Sequence, residues 1–222
     1  MSKKIRGVIL IALLAIAIIT TAVIFLLNTE WFQLETGLNF NPGNRYSSTK
    51  LDYMDVIYES PTDIYTFREG YSETADCPWK FEHNGIDYFL KNGSKVLSAT
   101  PGKMKNIYWT EHGEGDENYF HVNFEVRFNA SVIVDYCLES TPTPEDRDRQ
   151  IGLIKVQVGE WVEIRQELAI FLNVLGDGSH IHFMVKMNEK TICPMEYFSP
   201  EAYSELIDLI HTYHPDWDLC YP

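Results

Sequence analysis

An uncharged apolar run from Gly7 to Leu27 sets the first feature of the chain's pattern. Roughly 20 apolar residues are what a helix needs to cross a bilayer, so the run predicts a transmembrane helix behind a basic tip, residues 1–6. It ends at Asn28-Thr29-Glu30-Trp31 with no small-x-small cleavage site, which favours a retained anchor over a signal peptide. Beyond it, residues 28–75 lose sustained periodicity, with turn signals at Asn41-Pro42-Gly43 and Ser60-Pro61. They read as a juxtamembrane stalk that begins to pack near Tyr53 to Tyr58 and carries a short strand near Ile64 to Phe67.

From Trp79 onward the pattern changes to short alternating segments between turns. Ile86 to Leu90 alternates and is followed by Asn92-Gly93, then Val96 to Thr100 and Pro101-Gly102. Asn118 to Phe128 and Ser131 to Leu138 predict a long antiparallel hairpin joined at Asn129-Ala130. Thr141 to Gln150, polar and with two prolines, reads as a surface loop. Gly152 to Val158, Trp161 to Ile164 and Leu168 to Val174 follow as strands, and Gly176-Asp177-Gly178 turns the chain into a last strong strand, His180 to Val185. Residues 199–222 begin with a helix: Ser199 caps it, Pro200 takes its first position, and Leu206, Ile207 and Ile210 form its apolar stripe. Many short strands with few helices predict an all-β, antiparallel sandwich or barrel. No internal repeat is present, which excludes a solenoid.

Charge adds direction. Lys3, Lys4 and Arg6 precede the apolar run, and the positive-inside rule keeps them in the cytoplasm, with the remainder outside as a single-pass protein. Without those three, 15 basic residues face 32 acidic ones, a net charge of about −17 that argues against a nucleic-acid partner. Cys77, Cys137, Cys193 and Cys220 suit an oxidising exterior and allow three pairings. None forms a Cys-x-x-Cys pair, so a cysteine-rich zinc knuckle is not expected.

Candidate chemistry lies in the histidines. His180 and His182 are one residue apart on a strand, so both point to one side while Ile181 and Phe183 point to the other. An isolated His-x-His also fits a half-buried strand with a polar face. Upstream, His83 and Asp87 flank Asn84-Gly85. A straight strand would hold them roughly 13 Å apart, so sharing one metal ion requires a bend, which glycine permits. His112, in the charged Glu111 to Glu117 segment, and His121, within the long hairpin, read as structural or solvated. His211 and His214, at the end of the last helix, suit its dipole.

Together, His83-Asn84-Gly85-Ile86-Asp87, the following Gly93 to Ala99, Val158-Gly159-Glu160-Trp161-Val162, His180-Ile181-His182-Phe183-Met184-Val185 and the closing Asn188 to Phe198 resemble the lysostaphin-type zinc metallopeptidases. The resemblance spans about Trp79 to Phe198 and implies a metallopeptidase-like domain at 76–198, with the family's barrel-sandwich hybrid (duplicated hybrid motif) fold. It implies Zn2+ held by His83, Asp87 and His182, and His180 beside the metal as a catalytic group. The implied activity is hydrolysis of peptide bonds in cell-wall cross-links, with a peptide or cell-wall polymer as partner, in the cell envelope.

In one respect the sequence departs from that family. A further histidine, expected in a Tyr-x-His-Leu context, is absent from Asp135-Tyr136-Cys137-Leu138-Glu139. Three accounts fit: Glu139 or another acid replaces it, Cys137 faces the metal as a thiolate, or the domain is a catalytically inactive binding or regulatory module. For Cys137 the plain alternative is a disulfide partner or a small buried residue.

Overall fold

The computed structural model describes residues 16–23, 53–113, 119–129 and 131–222. The chain divides into Met1–Thr49 and Lys50–Pro222. In the first unit, residues 16–23 are helical and exposed. The rest of the expected transmembrane segment, 7–27, lies outside the described residues, as do most of the stalk residues before 53. Among the described residues no helix is long and apolar enough to cross a membrane.

In the second unit the strands are β1 (Ile64–Thr66), β2 (Tyr71–Ser72), β3 (Ile86–Leu90), β4 (Lys95–Leu97), β5 (Gly102–His112), β6 (Tyr119–Arg127), β7 (Val132–Thr141), β8 (Trp161–Val162), β9 (Glu167–Ile170), β10 (His180–Met187), β11 (Lys190–Ile192) and β12 (Cys220–Tyr221). Two α-helices accompany them, α1 (Pro144–Gly152) and α2 (Pro200–Tyr213). The main sheet runs β1-β3-β10-β7-β6-β5-β8, with β11 on β10; β4 pairs with β9 and β12 with β2. The mostly β, antiparallel body expected from the pattern is present, and the β6–β7 hairpin is its centre.

Alternation decides what each face of the main sheet does. On one side Ile86, Tyr88, Val122, Phe124, Val134, Tyr136, Leu138, Ile181, Phe183 and Val185 are almost wholly buried. Residues 54–58 and the β4–β9 pair help to close this core: Tyr58 meets Tyr88 at 6.1 Å, and the Tyr136 hydroxyl accepts from Ala99 N at 2.7 Å. Met54, Val56, Ile57 and Tyr58 are at most 1% exposed, so the compact body includes the part of 28–75 where packing is expected to begin. The other side carries the polar alternates, Asp87 on β3, His180 and His182 on β10, Cys137 and Glu139 on β7, and His121 on β6.

Two expectations are corrected, and one strand was not expected. Thr141 to Gln150 is largely helix rather than loop: Thr143 caps α1 by accepting from Asp146 N, Pro144 opens it, and acids occupy its first turn. Its anchor is polar, because buried Gln150 donates to Ile170 O and accepts from Leu172 N, so no apolar stripe announces it. Gly152 to Val158 is not a strand and contributes only an Ile154–Ala169 bridge. Conversely, β5 extends over eleven residues that the pattern does not reveal, since its register shifts between Met104 and Asn106 and its outer half is largely exposed. His112 therefore ends a strand.

Candidate metal centre

His83 sits in an isolated bridge with Ser72, and the chain bends at Asn84-Gly85 before β3 begins at Ile86. That bend turns the His83 imidazole back towards Asp87, placing Nε2 3.3 Å from Oδ1. The ring is fixed because Nδ1 donates to Gly70 O at 2.6 Å, which directs Nε2 at Asp87. β10 lies between β3 and β7, with His182 directly opposite Asp87. Across that ladder His182 Nδ1 lies 2.8 Å from Asp87 Oδ1, and Nε2 lies 2.8 Å from Asn84 Oδ1. The His83 and His182 rings are 4.7 Å apart.

One donor atom from each of His83, Asp87 and His182 lies within 4.8 Å of the other two. Ligand atoms on a tetrahedral zinc, with bonds of about 2.0–2.2 Å, are about 3.3–3.6 Å apart, so a small adjustment closes the set around one ion. Two imidazoles and a carboxylate are a donor set that zinc accepts. Gly85 keeps the space in front of His182 open, since an added Cβ would lie 2.7 Å from its Cε1 and 2.8 Å from its Nε2. The residues present therefore fit the ion that the resemblance implies.

His180 is beside this set. Its Nδ1 donates to Gly178 O at 3.0 Å, and Nε2 faces Asp87 Oδ2 at 3.6 Å and Glu139 Oε2 at 3.4 Å. Phe89 stacks on the ring with centroids 5.0 Å apart. Burial alone would lower the His180 pKa, but Glu139 and Asp87 outweigh it and raise the value to about 9. Burial likewise opposes charge on Asp87, yet hydrogen bonds from His182 and His83 hold its carboxyl well below the usual range. Glu69 brings another carboxyl to this neighbourhood, its pKa pushed up by burial and by the charge of Asp87.

At the departure from the resembled family, Cys137 is opposite His182 and Glu139 is opposite His180. Cys137 is not in a disulfide: Cys193 pairs with Cys220, and Cys77 and Cys137 are free and buried. The Cys137 thiol is pushed far up in pKa by burial and by Glu139 and Asp135, so the metal-free protein keeps it protonated. His121, expected to be structural, reaches the same face; its Nδ1 is 3.5 Å from Cys137 Sγ and its Nε2 is 3.5 Å from Glu139 Oε2. The signal for it is in the sequence. His121, Asn123 and Glu125 alternate with Val122, Phe124 and Val126, so they share the polar face with the site. His214 donates to or accepts nothing at this site; its Nε2 contacts Phe67 O and its ring stacks on Trp217, while His211 contacts Trp217 O.

No family model matches this chain, and no curated protein matches it. Among solved structures it is similar to Csd3 of Helicobacter pylori, at 18% identity over 66% of this chain and 33% of that one, with a TM-score of 0.44. It is also similar to the catalytic domain of the antimicrobial peptidase lysostaphin from Staphylococcus simulans, at 19% identity over 60% of this chain and 91% of that one, with a TM-score of 0.41. A zinc containing peptidase from Vibrio cholerae is 19% identical over 67% of this chain and 39% of its own, with a TM-score of 0.40. This chain thus spans about a third of the length of the Helicobacter protein, and its chemistry has to be read from its own side chains.

Proposed function

We propose that the body of this chain is a zinc-dependent hydrolase of peptide bonds, of the lysostaphin type, acting outside the cell membrane on peptide cross-links of a cell-wall polymer. The observation that carries this reading is the meeting of His83, Asp87 and His182 with a further imidazole, His180, held beside them by other partners. Three protein donors leave a fourth position, as catalytic zinc sites do and closed structural sites do not. Zinc bound there supplies Lewis acidity to a carbonyl and lowers the pKa of a water.

The chain's own residues provide the rest. Gly70 O fixes the tautomer of His83, and Gly178 O fixes that of His180 so that its Nε2 exchanges protons with the reacting groups. Glu139 holds His180 in that orientation and is the acid on β7 next to Cys137 and Leu138, the stretch in which the resemblance expects a histidine. A groove beside His83, lined by Tyr71, Ser72, Glu73, Glu82, Asn84 and Thr191, offers a place for an extended peptide. The apolar run 7–27, with its basic tip, supports an anchor that leaves this face outside the membrane.

The absence of the expected histidine favours a second reading, a metal-bound but non-hydrolytic binding module in the cell envelope. Zinc content and cleavage of cross-linked peptides by the full chain separate the two. Hydrolysis lost in His180→Ala while about one zinc remains on His83, Asp87 and His182 supports the enzyme. A His180→Ala variant as active as the parent, or a well-folded parent that binds no zinc when supplied with it, overturns it.

A further inference from the structure

We propose that His121, Cys137 and Glu139 form a second site for a divalent cation of zinc type, distinct from the set on His83, Asp87 and His182. The three residues lie on paired strands rather than a loop, Cys137 and Glu139 on β7 and His121 on β6, where the ladder shifts register between Phe120 and Val122 and turns His121 onto the face of Cys137. Cys137 Sγ is 3.5 Å from His121 Nδ1 and 3.6 Å from Glu139 Oε1. A tetrahedral zinc with a sulfur bond of about 2.3 Å and nitrogen or oxygen bonds of about 2.0–2.2 Å spaces its ligands at about 3.4–3.6 Å, which these distances already match.

Burial supplies an independent observation. His121 is 7% exposed and Cys137 6%, and His121 Nε2 makes no hydrogen bond, its nearest acidic partner being Glu139 Oε2 at 3.5 Å. A buried polar atom left without a hydrogen bond costs about 1–3 kcal/mol; an ion on Nδ1 would fix the ring proton on Nε2, where it faces Glu139 Oε2. Thiolate, imidazole and carboxylate together suit zinc or cobalt, whereas calcium and magnesium favour oxygen alone. Glu139 has an oxygen for each side, Oε1 towards Cys137 and Oε2 towards His180 and His121. A cation here sets a positive charge beside the neighbourhood of His180, where the expected imidazole is missing. That catalytic consequence rests on the hydrolase reading; the metal site does not.

Cobalt(II) is the probe, added to the metal-free full chain, with bound cobalt counted and the near-ultraviolet thiolate-to-cobalt charge-transfer absorption recorded. The expected result is two cobalt ions per chain with that absorption. Cys137→Ala should bind one and lose the absorption, and His121→Asn, which spares the thiol, should also fall to one. His83→Ala should bind one and keep the absorption, and Cys77→Ser should change neither reading. One cobalt per chain with the thiolate absorption would support this site while refuting the ligand set of the proposed hydrolase. One cobalt without the absorption, an absorption that survives Cys137→Ala, or loss of all cobalt in His83→Ala would overturn the inference.

Discussion

Gly85→Ala tests whether the bend before β3 exists to leave room for a ligand. The added methyl would sit 2.7 Å from His182 Cε1, 2.8 Å from His182 Nε2 and 2.7 Å from Phe183 O, where ordinary contact begins at 3.4 Å. The overlap is therefore about 0.7 Å on two sides. Phe183 O belongs to the backbone of a central strand and the imidazole is already tied to Asp87 and Asn84, so relieving both overlaps shifts the backbone at Gly85 as well as the ring. Overpacking of this kind costs about 1–3 kcal/mol. Moving a ligand by a third of a bond of about 2 Å should weaken zinc by at least the 10- to 100-fold that loss of an orienting partner costs. The assay is zinc competition against a chromophoric chelator, paired with urea unfolding of the metal-free protein. Gly152→Ala is the control, because a Cβ there meets nothing within 4 Å, and its stability should stay within about 0.5 kcal/mol of the parent. Zinc affinity and stability unchanged in Gly85→Ala would refute both the steric argument and the ligand role of His182.

Other perturbations probe the support of the site. Replacing Cys193 and Cys220 together by Ser opens a 27-residue separation and should cost about 3–4 kcal/mol in denaturant unfolding; equal stability with and without the bridge would show that the β12 edge holds itself. Phe183→Ala removes a fully buried ring that meets Tyr88 and Tyr136, and should lower stability by about 3–5 kcal/mol in the same assay. Glu125 is buried, which works against its charge, but Lys105 and Asn106 prevail and lower its pKa. A lowered folded-state pKa stabilises above the unfolded value near 4.5 and loses that contribution as pH falls through the folded value. Glu125→Gln should therefore be less stable than the parent at pH 7 and converge on it in acid, and a difference independent of pH would contradict this. His180→Ala should keep zinc and lose about 10²- to 10⁴-fold in hydrolytic rate, read by peptide cleavage beside metal analysis.

Local rules fix much of this protein within its sequence. Period-two alternation puts His180 and His182 on one face of a strand and Ile181 and Phe183 on the other, whatever the partner strands are. Gly85 permits the bend that lets His83 meet Asp87, and Ser199 with Pro200 fixes the start of α2. Each of these properties depends on a few neighbouring residues. Sheet order and register do not, because a slip of one residue turns a strand over and only the burial of the whole core selects among the alternatives. That selection places Asp87 opposite His182 across 95 residues of chain, puts Glu139 rather than Cys137 opposite His180, and brings in His121 from β6. It also joins Cys193 to Cys220 from among three possible pairings. The imidazole pair on β10 and the His83–Asp87 pair were each legible because each is local; how the two pairs meet, and which of Glu139, Cys137 and His121 surround them, was decided by tertiary structure, because separate strands have to be packed into one sheet.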